Sequence, residues 1–263
     1  MSLTTGTGPL GGEPGDTNYT LDAPPHRLLF EPDPRRLRAL VGDRVVLDSM
    51  RAHLLHETGL LPVAYVPLED LDAELLQRTQ TSTHCPFKGD ASYWSLHVGD
   101  RVIEDAVWGY EDPLERAPWL RGFAALDRRR ADAWLVEDDP VAGHLRDPYH
   151  RVDVHRASRT VTVTASGEVV ARSTRPMLVF ETSLAPRAYL PRADVRPGVL
   201  APSATRTVCP YKGEACYWHV EAGAGSLADA AWSYESPLPE AMRAAGHVSF
   251  AGDGVEVVLE PAV

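Results

Sequence analysis

The chain has 263 residues, 44% of them hydrophobic and 24% charged, the composition of a soluble globular protein, and at about 100 to 150 residues per domain it predicts two domains. Lys plus Arg total 26 against Asp plus Glu 37, a formal net charge of -11 that offers no basic footprint for duplex nucleic acid and repels anionic membranes. Three cysteines without a C-x-x-C pair leave neither a disulfide framework nor a zinc site, and no apolar run reaches the ~20 residues of a membrane span.

Residues 1–23 are rich in Gly, Thr and Pro, without a basic or apolar stretch, and read as a flexible tail rather than a targeting segment, as expected of a cytoplasmic protein. A first domain is expected over 24–139. In it, 40–48 reads as a hairpin bent at Gly42-Asp43. Residues 61–67 form an apolar run bracketed by proline, which limits them to a short or edge strand. Residues 68–77 predict two or three turns of helix, and 93–98 with 102–108 a second hairpin around Gly99-Asp100. The acidic, turn-rich stretch from Glu137 and the segment from Gly143 place a linker at 140–147, followed by a second domain over 148–263. There, 160–171 alternates β-branched residues around Ser166-Gly167, 186–191 repeats the proline-bracketed strand, and 237–245 predicts a proline-initiated helix.

The two domains are copies. Cys85-Pro-Phe-Lys88-Gly-Asp-Ala-Ser-Tyr93-Trp94 returns as Cys209-Pro-Tyr-Lys212-Gly-Glu-Ala-Cys-Tyr217-Trp218, an offset of 124 residues. The same offset carries Arg51 onto Arg175, Glu57-Thr58 onto Glu181-Thr182, Tyr65 onto Tyr189, Asp70 onto Asp194, Trp108 onto Trp232, and Tyr110-Glu111 onto Tyr234-Glu235. Even His26-Arg27 aligns with His150-Arg151. The fold class is therefore mainly β: two tandem homologous small β domains with short helices.

Residues common to both copies are candidates for core, turn or function. In Cys-Pro-aromatic-Lys-Gly, proline and glycine fix a tight loop that holds Cys85 and Lys88, or Cys209 and Lys212, in place. A lysine near a thiol raises its thiolate fraction, which suits a nucleophile; the alternative is a buried small cysteine with a lysine capping the turn. Trp108 and Tyr110, or Trp232 and Tyr234, share a strand face, and with Tyr93 and Trp94, or Tyr217 and Trp218, they either fill a core or wall a ligand pocket. Tyr65 and Tyr189 join the same candidate walls. Arg51 and Glu57, or Arg175 and Glu181, form a structural ion pair, or else the arginine orients an anion while the glutamate serves as acid or base. His53, His56, His84 and His97 fall opposite Met177, Phe180, Val208 and Glu221, so if one copy alone is active the first is favoured. His84 and Cys85 are neighbours on a strand and face opposite ways, which argues against direct Cys-His catalysis.

These motifs, with Ala106-Val-Trp-Gly-Tyr-Glu-Asp-Pro and Ala230-Ala-Trp-Ser-Tyr-Glu-Ser-Pro, resemble the bacterial and fungal family known as "domain of unknown function" family 427. Phe87 replaces the usual tyrosine, and Cys216 stands where the first copy has Ser92. The resemblance implies a compact β domain similar to the β-tent folds, often found in tandem in actinobacteria, under the label nucleotidyltransferase-like. Nucleotidyl transfer usually needs paired carboxylates and a phosphate-binding loop, and no such constellation repeats here. The sequence specifies no cofactor and no metal. The preferred expectation is binding of a small anionic or aromatic molecule in a Cys/Lys/Arg/aromatic pocket; the alternatives are an enzyme and an interaction scaffold.

Overall fold

The computed structural model describes residues 16, 18, 24–223 and 225–261, so the tail expected over 1–23 lies, but for Asp16 and Asn18, outside the described residues. It is mainly β, with 55% of residues in strands, and it divides into two units at the boundary between Pro148 and Tyr149. No helix among the described residues is long and apolar enough to cross a membrane.

The first unit contains β1 (Leu28–Pro32), β2 (Leu37–Val41), β3 (Arg44–Ser49), β4 (His53–Glu57), β5 (Val63–Pro67), β6 (Leu76–Cys85), β7 (Gly89–Val98), β8 (Arg101–Gly109), β9 (Phe123–Leu126), β10 (Ala133–Val136) and β11 (Asp139–Pro140). Seven of these form one sheet in the order β1-β4-β5-β9-β8-β7-β6, and four form another in the order β11-β10-β2-β3. The second unit repeats the design with β12 (Val152–Arg156), β13 (Val161–Ala165), β14 (Glu168–Ser173), β15 (Met177–Glu181), β16 (Arg187–Pro191), β17 (Leu200–Cys209), β18 (Gly213–Ala222), β19 (Gly225–Ser233), β20 (His247–Phe250) and β21 (Val255–Leu259). Its large sheet runs β12-β15-β16-β20-β19-β18-β17 and its small one β14-β13-β21.

Alternation along the strands gives the large sheet two different faces. In the first unit, Leu54, Val66, Trp94, Leu96, Val107 and Leu126 point toward the small sheet and meet Leu37, Ala39, Val41, Leu47 and Trp134 in one buried core. The residues between them, Leu55, Tyr65, Ala91, Tyr110 and Ala125, form a second, aromatic cluster on the other face. The second unit splits in the same way into an aliphatic core and a cluster around Tyr189, Tyr211 and Tyr234.

The hairpins at Gly42-Asp43, Gly99-Asp100 and Ser166-Gly167 form as their sequences require. The helix expected over 68–77 does not form. Leu68–Asp70 makes one 3-10 turn, and the chain then extends into β6, because Asp70 is drawn to Ser49 and Arg51 and Leu71 is buried against β3. The segment 237–245 shortens to a 3-10 stretch, Pro239–Ala244. Strand β5 is short, as its prolines demand, yet it is interior, paired on both sides by β4 and β9. Residues 140–147, expected as a linker, instead belong with the first unit: β11 pairs with β10, the Val141 amide donates to the Trp134 carbonyl at 2.8 Å, and Leu145 is buried in the core.

Candidate functional site

Strands β6 and β7 are joined by Pro86, Phe87 and Lys88, and β17 and β18 by Pro210, Tyr211 and Lys212. Gly89 closes the first turn at φ +107°, and a Cβ there would meet Asp112 O and Leu114 N at 3.4 Å; Gly213 at φ +99° stands as close to Leu238 N. Left-handed backbone and close approach together require glycine. The turn thereby throws the lysine back across the aromatic face.

There Lys88 donates to the Glu57 carboxylate, and both side chains are buried, 8% and 5% exposed. Lys212 and Glu181 make the same contact. A histidine also stands on each carboxylate: His26 Nε2 lies 3.4 Å from Glu57, and His150 Nε2 lies 3.0 Å from Glu181. Each histidine also meets the loop aromatic: His26 stacks on Phe87 at 3.8 Å, and His150 lies tilted against Tyr211 at 4.1 Å. The adjoining threonine fixes the chain, since the Arg27 amide donates to Thr58 Oγ1 at 2.9 Å and the Arg151 amide to Thr182 Oγ1 at 2.8 Å. Neither histidine was a site candidate from sequence; their recurrence at the 124-residue offset was the available signal.

The hydrogen bonds of the aromatic wall recur in both units. Trp108 Nε1 donates to the Tyr65 hydroxyl at 3.0 Å, and Trp232 Nε1 to the Tyr189 hydroxyl at 3.0 Å. Tyr93 and Tyr217 hydroxyls bond to Thr83 and Thr207 at 2.8 and 3.1 Å. Lys88 lies 5.7 Å from the Tyr110 ring centre. Cys85 and Cys209 are half-buried members of the same clusters, Cys85 packed in the one that contains Tyr110.

Burial pushes the Tyr65, Tyr110 and Tyr234 hydroxyls up from their ordinary range, and pushes Tyr189 up to about 12, against the lowering by the Trp232 indole and Arg187. These tyrosines are neutral donors at physiological pH. Burial also works against ionisation of Glu181, but His150 and Lys212 outweigh it and hold the carboxyl down at about 2.

In the second unit this face opens into a cavity of about 290 Å³, lined by Glu181, Lys212, Tyr189, Tyr217, Trp232 and Tyr234, with Arg187, Leu184, Ala185 and Val179. Arg187, also not a candidate from sequence, stacks over Trp232 at 5.0 Å and has no carboxylate within salt-bridge distance among the described residues. Val63 takes its place in the first unit. There Phe30 stacks on His53 at 4.6 Å and on Trp119 at 4.8 Å, where the second unit has Val154, Met177 and Arg243.

Two expectations require correction. Arg51 and Arg175 do not pair with Glu57 and Glu181: they reach Asp70 and Asp194, brought near by the 3-10 turns, and stand apart from the lysine-carboxylate cluster. Trp94 and Trp218 leave the wall that Tyr93 and Tyr217 join, because adjacent strand residues face opposite ways, and both pack in the aliphatic cores. On that face Arg78 stacks over Trp94 at 5.4 Å and bonds Glu111, while Arg192 stacks over Trp218 at 4.8 Å and bonds Glu235. His84 pairs with Asp90 at 2.6 Å in solvent, and His56 with Glu31 at 2.7 Å. Among the described residues, no group of three or more His, Cys, Asp or Glu side chains is arranged to hold a metal ion.

A family model described as "Domain of unknown function (DUF427)" matches residues 29–137 and again residues 153–261. A search of curated proteins found no match.

Proposed function

The chain belongs, in both halves, to the DUF427 domain family, and from that premise we propose that its aromatic face binds a small anionic or aromatic molecule above the buried lysine-carboxylate pair. The observation that carries this reading is the 290 Å³ cavity of the second half, where Lys212, Glu181, Tyr189, Tyr217, Trp232 and Tyr234 converge. Its size is that of a small-ligand pocket, at the lower end of the usual range of about 300 to 1,000 Å³, with an apolar aromatic wall and a few directed polar groups. The first half holds the same lysine, glutamate, tyrosines and tryptophan in the same bonds. A solvated structural ion pair needs none of this aromatic enclosure.

The test is a metabolite screen by thermal shift on the full chain, repeated with Tyr217→Ala. Ligand-dependent stabilisation that the variant weakens supports the reading. A screen without any stabilising compound, or stabilisation indifferent to the variant, counts against it.

Thiol chemistry is a second reading, favoured by the packing of Cys85 in the aromatic cluster whose Tyr110 ring lies 5.7 Å from Lys88. Rapid modification of Cys85 or Cys209 by iodoacetamide in the folded protein, slowed by a bound ligand, supports it. Cysteines inert until unfolding dismiss it.

A further inference from the structure

We infer that the cavity of the second half is specific for a flat ring bearing a single carboxylate, held by Arg187, and that the equivalent face of the first half lacks this specificity. The inference rests on the reading above that this face is a ligand site.

Charge balance comes first. Lys212 is matched by Glu181, so the pair brings no net charge to the cavity. Arg187 adds one positive charge that no carboxylate among the described residues neutralises. In a chain of formal charge -11, an uncompensated guanidinium at the mouth of an aromatic cavity focuses attraction on an anion. A single compensating charge on the ligand suffices, whereas a dianion leaves negative charge unmatched in an apolar enclosure.

Geometry points the same way. The guanidinium lies over the Trp232 ring, 5.0 Å from its centre, where its planar fork suits a carboxylate on a ligand in the cavity. The Tyr189 hydroxyl accepts from Trp232 Nε1, which leaves its own hydrogen to donate, and burial keeps that hydroxyl protonated. Tyr189 meets Trp232 edge-on and Tyr217 is tilted against it, with ring centres 6.3 and 6.4 Å away, so the three rings together offer the cavity an apolar aromatic lining. At the first-half counterpart of Arg187, Val63 contributes no charge, and Lys88 with Glu57 again cancel.

The experiment follows the indole N–H signals of the full chain by nitrogen-15 NMR, with the Trp232 signal among the six tryptophans identified by Trp232→Phe. Benzoate and its neutral counterpart benzamide are titrated into the native chain and into Arg187→Val. The expected result is that benzoate moves the Trp232 signal and leaves Trp108 in place, that benzamide binds about tenfold more weakly or worse, as loss of a charge-assisted hydrogen bond implies, and that Arg187→Val removes the difference. If benzamide matches benzoate, or if the variant keeps the preference, the carboxylate inference is overturned while the ligand face stands. If neither molecule moves the Trp232 signal, the inference is likewise overturned, and an empty metabolite screen then removes the underlying reading as well.

Discussion

Glu57 and Glu181 show how much a single buried carboxylate constrains its surroundings. Lys88 and Glu57 lie under the aromatic face, where an ion pair contributes little net stability but an unpaired partner is costly. Lys88→Met is therefore expected to destabilise the first half by about 3 to 5 kcal/mol in urea unfolding, and adding Glu57→Leu to recover most of that loss. Recovery by the double variant separates a pairing effect from a packing effect. Glu181 supplies a pH signature. Its carboxyl is held at about 2 in the folded chain, below the ordinary 4.5, so the stabilisation is fully present above pH 4.5 and is lost as pH falls toward 2. Acid unfolding followed in the second half should show that loss in the native chain, and Glu181→Gln should flatten it. Lysine and glutamate were both legible as duplicated residues, but their partnership was not: Arg51 lies nearer to Glu57 in sequence, and only the turn at Gly89 brings in a lysine 31 residues away.

At the scale of strands, the opposite face of each large sheet keeps one arrangement with different residues. Glu111 and Glu235 occupy equivalent positions, yet the guanidinium comes from Arg78 on β6 in one half and from Arg192, beside β16, in the other. Pro202 stands where Arg78 would be, and Leu68 where Arg192 would be. The hydroxyl moves too, from Ser92 to Ser233. Arg78→Ala is expected to cost about 0.5 to 1 kcal/mol through the exposed ion pair and a similar amount through the indole contact, and Leu68→Arg to restore it by the route the second half uses. Rescue is measured by thermal unfolding of the single and double variants. A second device ties β6 to β8: Asp105, at φ +49°, accepts from Thr79 and Thr81 hydroxyls at 2.7 Å, and Asp229, at φ +53°, accepts from Thr205 at 2.7 Å. Hydrogen exchange in Asp105→Ala should accelerate through residues 79–82 and leave β4 and β5 unchanged, since the clamp serves the sheet edge alone. Hairpins with glycine turns were readable from alternation. The edge strands β6 and β17 were not, because threonine, serine and charged residues on an unpaired edge carry no apolar period, and the helix expected over 68–77 lost to contacts made by Asp70 and Leu71.

At the scale of the whole chain, ten strands of the first unit recur in the second, nine of them displaced by the same 124 residues at both ends. The duplication was fully legible in the sequence, and so was the mainly β class. What the sequence obscured was the boundary, because the acidic, proline-bearing stretch from Glu137 reads as a linker while β11 and Leu145 complete the first core. Each unit owns both faces of its large sheet and a small sheet to cover one of them. Residues 1–148 and 149–263 expressed separately are therefore expected to fold, each with its own cooperative thermal transition. A half that remains unfolded alone would show that its core depends on the other.

The most direct measurement of the ligand role is a crystal structure of the full chain soaked with a panel of flat aromatic fragments. The expected result is a fragment seated in the second-half cavity, between Trp232 and Lys212 and within reach of Arg187 and the Tyr189 hydroxyl. Fragments found only elsewhere, with that cavity consistently passed over, would contradict it and leave the lysine-carboxylate pair as a structural pin of the aromatic face.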